Sequence, residues 1–155
     1  MRIILLRHGH SVSAAEAGNV DEDRYLTQMG REQARRAGQW LSGRTELLPG
    51  RVWASPLVRT IQTAELAVVS WGAPGAVESR RALAHQDNSA VVHALQVLGK
   101  SATVMLVGHL PQMGDLARIL VADRDIPSPT PGTVLVLQGM PEPGGCQLAA
   151  RFNSE

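Results

Sequence analysis

Two short apolar runs, "IILL" at Ile3–Leu6 and "TVMLV" at Thr103–Val107, place the tightest limit on what this chain can fold into. A strand with one wet face alternates apolar and polar residues, and these runs do not alternate, so each reads as a strand covered on both faces. Such strands need helices above and below them. The rest of the sequence supplies those helices in alternation with further strands. After Arg2–Leu6 and a polar stretch from Ser11 to Arg24, Thr27 is placed to cap a helix through Leu41, with Ala34, Ala37, Trp40 and Leu41 at helical spacing and Gly43 closing it. "RVWAS" at Arg51–Ser55 is a second strand, and Pro56 stands near the start of a helix to about Val69, since proline is tolerated in a first turn. Ala76–Glu78 is a short strand, Ser89–Leu98 a helix, Thr103–Val107 a strand and Pro111–Val121 a helix; Thr133–Leu137 and Gln147–Phe152 close the chain around the turn-rich "MPEPGG". The expected fold class is α/β: a three-layer sandwich with a mostly parallel central sheet, helices on both faces, and an antiparallel edge near the C-terminus.

Composition fits one core and removes several function classes. A chain of 155 residues can bury about 70% of its unfolded surface without staples. It is 44% hydrophobic but only 3% aromatic, so Leu, Val, Ala and Ile must fill the layers. Fifteen basic against fourteen acidic residues leave a charge of +1, no field for nucleic acid or an anionic membrane, so any anion site must be local. Cys146 is the only cysteine, which excludes an internal disulfide and a multi-cysteine zinc site. The apolar start is four residues long, too short for a signal-peptide core or a membrane span, and a cytoplasmic protein is expected.

Chemistry collects where the strands stop. Ligands of open α/β sheets bind beyond the carboxyl ends of strands. Arg7, His8 and Gly9 follow the first strand, Ser55, Pro56 and Arg59 follow the second, and Gly108 and His109 follow "TVMLV". Parallel strands share a direction, so these groups meet on one rim, where two arginines offer bidentate donors to phosphate oxygens at any working pH. The same cations disfavour imidazolium at His8 and keep a ring nitrogen free for nucleophilic attack. His8 and His10 also form an HxH pair, but no acidic cluster accompanies it and a flanking arginine opposes a cation; neither a metal nor a cofactor is expected. Arg31, Glu32, Arg35 and Arg36 read as a solvated helix face. Arg80 and Arg81 read as surface or pocket-mouth residues, and Cys146 as inert.

"RHG", "LTQMGREQA", "SPLVRTIQTAE" and "VGH", in this order, resemble the histidine phosphatase superfamily, the phosphoglycerate mutase-like group. The length, "GHLPQMGDLARIL" and "TPGTVLVL" are most similar to its short bacterial phosphohistidine phosphatases of the SixA type. The resemblance implies a single domain over 1–155 in which His8 is the nucleophile and becomes transiently phosphorylated. Arg7, Arg59 and His109 would bind and neutralise the phosphoryl oxygens. Larger members take a proton donor from the segment after the third strand, and in "SRRALAHQDNS" the only carboxylate is Asp87. Phosphohistidine leaves as an imidazole, whose conjugate acid has a pKa near 6.5, and tolerates a weak donor better than a phosphate ester does. The expected substrate is therefore a phosphohistidine-bearing protein. A small-molecule phosphomonoesterase using Asp87, and a phosphate-binding module without turnover, are the alternatives.

Overall fold

The computed structural model describes residues 1–72 and 75–155. Its elements run β1 (Arg2–Arg7), α1 (Gln28–Ser42), β2 (Arg51–Ala54), α2 (Val58–Trp71), β3 (Val77–Ser79), α3 (Arg81–Ala84), α4 (Asn88–Val97), β4 (Thr103–Gly108), α5 (Gln112–Val121), β5 (Val134–Gly139) and β6 (Cys146–Phe152). The six strands form one sheet in the order β3-β2-β4-β1-β5-β6. The first four are parallel, β5 runs antiparallel to β1, and β6 antiparallel to β5. Among the described residues no helix is long and apolar enough to cross a membrane.

The unbroken apolar runs are explained by the two cores. Ile3, Leu5, Val104 and Leu106 point into a cluster with Val91, Leu95, Met113, Leu116 and Leu120 of α4 and α5. Ile4, Leu6, Met105 and Val107 point the other way, against Ala37 and Leu41 of α1 and Ala64, Ala67 and Val68 of α2. Every second residue thus serves an opposite layer, which is why none could be polar. Burying each such Leu or Ile contributes about 1.5–3 kcal/mol, so the central strands are firmly held and the residues at their ends inherit that rigidity.

Several boundaries differ from the sequence expectation. Thr27 caps α1, accepting from Gly30 N at 3.1 Å, and Gly43 ends it as expected. Pro56 stands just before the helix after β2, as expected: the helix starts at Val58, and the Thr60 hydroxyl in its first turn lies 2.7 Å from both the Ser55 and Leu57 carbonyls. The one-turn helix α3 was not expected, since four residues are too few to display a helical period. The polar stretch 11–24 is largely exposed, but it holds a 3-10 turn at Asp21–Asp23 and is pinned at its base by an antiparallel bridge between Ser11 and Leu26.

Candidate active site

The sheet order makes β2, β4 and β1 neighbours, so Ser55, His109 and His8 leave adjacent strand ends. The ladder continues into this rim: Ser55 N donates to Val107 O and His8 N to Gly108 O, both at 3.0 Å. The rings of His8 and His109 stand 5.2 Å apart, centre to centre. Arg7 ends β1, and Arg59 enters from the first turn of α2; its side chain is only 7% exposed. The four residues expected to converge do converge.

A shell of motif residues holds the turn that carries His8. Gly9 N donates to Thr63 Oγ1 at 3.1 Å, and His10 N to Gln33 Oε1 at 2.8 Å. Gly9 and Gly30 lie backbone to backbone: a β-carbon on Gly9 would strike the Gly30 carbonyl, and one on Gly30 would strike the His10 carbonyl. Only glycine permits that approach. The "LTQMGREQA" block is therefore the clamp on "RHG", with Thr27 capping, Gly30 giving clearance and Gln33 holding an amide. Arg7 is steadied by Pro129, whose carbonyl accepts from Nη1 at 3.0 Å.

The protonation of His8 follows from one hydrogen bond. Its Nδ1 lies 2.7 Å from the Gly9 carbonyl oxygen, which can only accept, so the ring proton sits on Nδ1 and Nε2 keeps its lone pair. Burial, then the charges of His109, Arg59 and Arg7, push the His8 pKa down to about 3, against the opposing Gly9 bond. Burial and the Arg59 charge bring His109 to about 4. Both rings are neutral at physiological pH. His109 Nε2 lies 2.8 Å from Ser55 Oγ, while its Nδ1 is buried without a partner among the described residues, as are Nε of Arg7 and Nε of Arg59. The rim therefore holds a neutral imidazole with a free lone pair beside two arginines, a set that could accommodate an oxyanion.

The sequence profile of the histidine phosphatase superfamily (branch 1) matches residues 3–90. The chain belongs to that superfamily. Among solved structures, the protein histidine phosphatase SixA complexed with tungstate superposes with a TM-score of 0.87 at 26% identity, covering 99% of this chain and 97% of that one. A candidate phosphohistidine phosphatase SixA from Nakamurella multipartitia gives 0.72 at 26% identity, covering 98% and 95%. A mycobacterial glucosyl-3-phosphoglycerate phosphatase complexed with VO3 gives 0.74 at 17% identity over 99% of both chains, a likeness of fold alone. No curated protein matches the sequence significantly.

In this superfamily member the other candidates fall as follows. Asp87 caps α4, its Oδ1 accepting from Ala90 N at 3.0 Å, and among the described residues it bonds none of Arg7, His8, Arg59 and His109. His10 is exposed with Nδ1 2.8 Å from Thr27 Oγ1, turned to the clamp rather than to His8. No group of three or more His, Cys, Asp or Glu side chains that could hold a metal ion gathers among the described residues. Arg80 lies over the Trp53 ring at 4.3 Å and pairs with Glu78 at 3.1 Å. Sequence reasoning missed Asp21. Arg59 Nη1 donates to its backbone carbonyl at 2.8 Å and Nη2 to its carboxylate at 3.2 Å, across 38 residues of chain. No local pattern marks that pairing; the one signal was an acidic group in a loop leaving the same rim.

Proposed function

We propose that the protein is a metal-independent phosphatase that hydrolyses phosphohistidine on proteins through a phosphohistidine intermediate on His8. The observation that carries this reading is the fixed tautomer of His8 between Arg7, Arg59 and His109. Nε2 attacks phosphorus with its lone pair, the bond from phosphorus to the substrate nitrogen breaks, and that bond's electrons leave with the substrate imidazole. Because Nδ1 of His8 keeps its proton on the Gly9 carbonyl, the phosphorylated ring is the cation, which leaves readily as neutral histidine when water attacks. In that second step the water oxygen bonds to phosphorus, the bond from phosphorus to Nε2 breaks with its electrons returning to the ring, and one water proton passes to a phosphoryl oxygen, giving inorganic phosphate. The arginines and His109 hold the phosphoryl oxygens throughout, and most of the catalysis is this positioning and charge stabilisation.

The substrate class follows from the leaving group. An alkoxide needs a proton as it departs, whereas an imidazole whose second nitrogen is protonated departs neutral. Asp87 serves as a helix cap, and Asp21 is an ionised partner of two arginines, its carboxyl held below the usual range chiefly by the hydrogen bond from Arg24. Neither is placed as a strong acid, which favours the phosphoramidate over an ester.

The test compares phosphohistidine protein with sugar and nucleotide phosphates under one set of conditions. Faster turnover of phosphohistidine is expected, unaffected by EDTA, and His8→Ala should abolish it and lose trapped radiolabelled phosphate while keeping the circular dichroism of the wild type. Asp87→Asn, which can still cap, should leave phosphohistidine turnover within about twofold. Activity persisting in His8→Ala overturns the mechanism, and faster turnover of ordinary esters overturns the substrate.

A further inference from the structure

The fork of Arg59 is already occupied. Both of its terminal nitrogens are bonded to Asp21, one to the main-chain oxygen and one to the carboxylate, and its Nε is buried without a partner among the described residues. Asp21 is itself held from the other side, Arg24 Nη1 lying 3.1 Å from Oδ1. Arg24 is fixed in turn by Val12 O at 2.8 Å from Nε and Ser11 Oγ at 3.1 Å from Nη2, and the stretch it braces is closed by the Ser11–Leu26 bridge and by the Leu26 amide on Gln62 Oε1 at 2.8 Å. The carboxylate therefore sits on a built strap, not on a wandering loop. The two partners differ sharply in exposure, 7% for the Arg59 side chain and 56% for that of Asp21. The two terminal nitrogens of a buried guanidinium are thus bonded to a residue whose side chain solvent can reach.

We propose that Asp21 is an internal competitor of the phosphoryl group: its main-chain and carboxylate oxygens hold the Arg59 fork, and the carboxylate must be displaced for a phosphoryl oxygen to bind there. This rests on the reading of Arg59 as a phosphoryl ligand. Asp21 and an oxyanion cannot share the same pair of N–H groups at full strength, so what Asp21 gains from them is subtracted from the affinity of any oxyanion. The deduction applies equally to substrate and to product phosphate, so Asp21 is an affinity-setting residue that hastens release of inorganic phosphate and leaves the transfer steps alone. It also gives both terminal nitrogens of the buried arginine a partner when no oxyanion is bound.

The test measures dissociation constants of orthovanadate and inorganic phosphate by calorimetry on the full chain, for the wild type, Asp21→Ala and Asp21→Asn, with Asp23→Asn as a charge control in the same turn. The half-exposed ion pair sets the scale: Asp21→Ala should tighten both anions by roughly fivefold. Asp21→Asn should tighten them by a smaller factor, and Asp23→Asn should leave them within about 1.5-fold. KM for phosphoramidate should fall with the dissociation constants while single-turnover phosphorylation of His8 stays within about twofold, a split that a merely structural role would not produce. Unchanged or weaker anion binding in Asp21→Ala overturns the competitor, and equal tightening in Asp23→Asn overturns it too, by reducing it to a general field. A loss of single-turnover rate in Asp21→Asn overturns it in favour of a proton donor. A wild type that binds neither anion overturns the phosphatase reading itself, a failure distinct from the others.

Discussion

Arg59 carries more of the site than its position in a helix would suggest. Its side chain is 7% exposed, and it contributes to holding the rings of both His8 and His109 neutral. Its planar fork reaches two oxygens at once, the main-chain and carboxylate oxygens of Asp21 here and two phosphoryl oxygens in the proposed complex. Lysine keeps the charge but presents it as a point, and cannot reproduce two parallel bonds from the same place. Both Arg59→Lys and Arg59→Ala are expected to lose on the order of a hundredfold in kcat/KM, the scale of removing one oxyanion donor. Arg35→Ala is the control, since Arg35 is exposed and its pair with Glu32 is 3.9 Å long. Near wild-type kcat/KM in Arg59→Lys would remove Arg59 from the proposed pocket.

At the scale of elements, α1 matters for where it begins. Thr27, Gly30 and Gln33 share the first two turns, and each touches the backbone around His10 or the start of the helix itself. Gly30→Ala would set a methyl group against the His10 carbonyl, and since both partners are backbone the helix must move away from the turn that carries His8. Destabilisation of about 2 kcal/mol or more is expected, together with a loss of turnover, because the displaced turn misplaces the His8 ring. Gly43→Ala, at the other end of the same helix, meets only the Trp40 carbonyl at 3.9 Å and should shift the urea midpoint by an amount equivalent to about 0.5 kcal/mol or less. Equal effects at the two glycines would refute the clamp.

For the whole molecule the two buried histidines set a pH dependence of stability. In the unfolded chain they take up protons as pH falls through about 6.5, whereas folded His8 waits until about 3 and His109 until about 4. Between those limits the unfolded state binds more protons, so stability is full above 6.5 and is lost progressively as pH falls toward 3, each ring adding a slope of about 1.36 kcal/mol per pH unit at most. Asp21, with its carboxyl pKa depressed, works in the same direction below the ordinary carboxylate range. Thermal unfolding is expected to show a falling Tm from pH 7 to pH 5, with a shallower fall in His8→Asn. A Tm that is flat over that interval in the wild type would mean that the rings are not held neutral.

Much of this was legible in the chain alone because it was recorded locally. Continuous apolar runs told of strands covered twice, and alternation with helical periods told of a largely parallel sheet whose carboxyl ends share a rim. Arg7, His8 and His109 stand at those ends and Arg59 one turn into the following helix, so their position gave them one rim of the sheet. Other features depend on where the chain goes in space. The adjacency of β2, β4 and β1, the contact of Gly9 with Gly30, the proton on Nδ1 of His8 and the capping of α4 by Asp87 come from packing and hydrogen bonds. The Asp21–Arg59 pair is the extreme case. It joins an exposed loop to the buried face of a helix across 38 residues, and neither partner changes the periodicity of its own segment, so tertiary structure alone decided that the arginine read as a phosphate ligand is held by a carboxylate of the same chain.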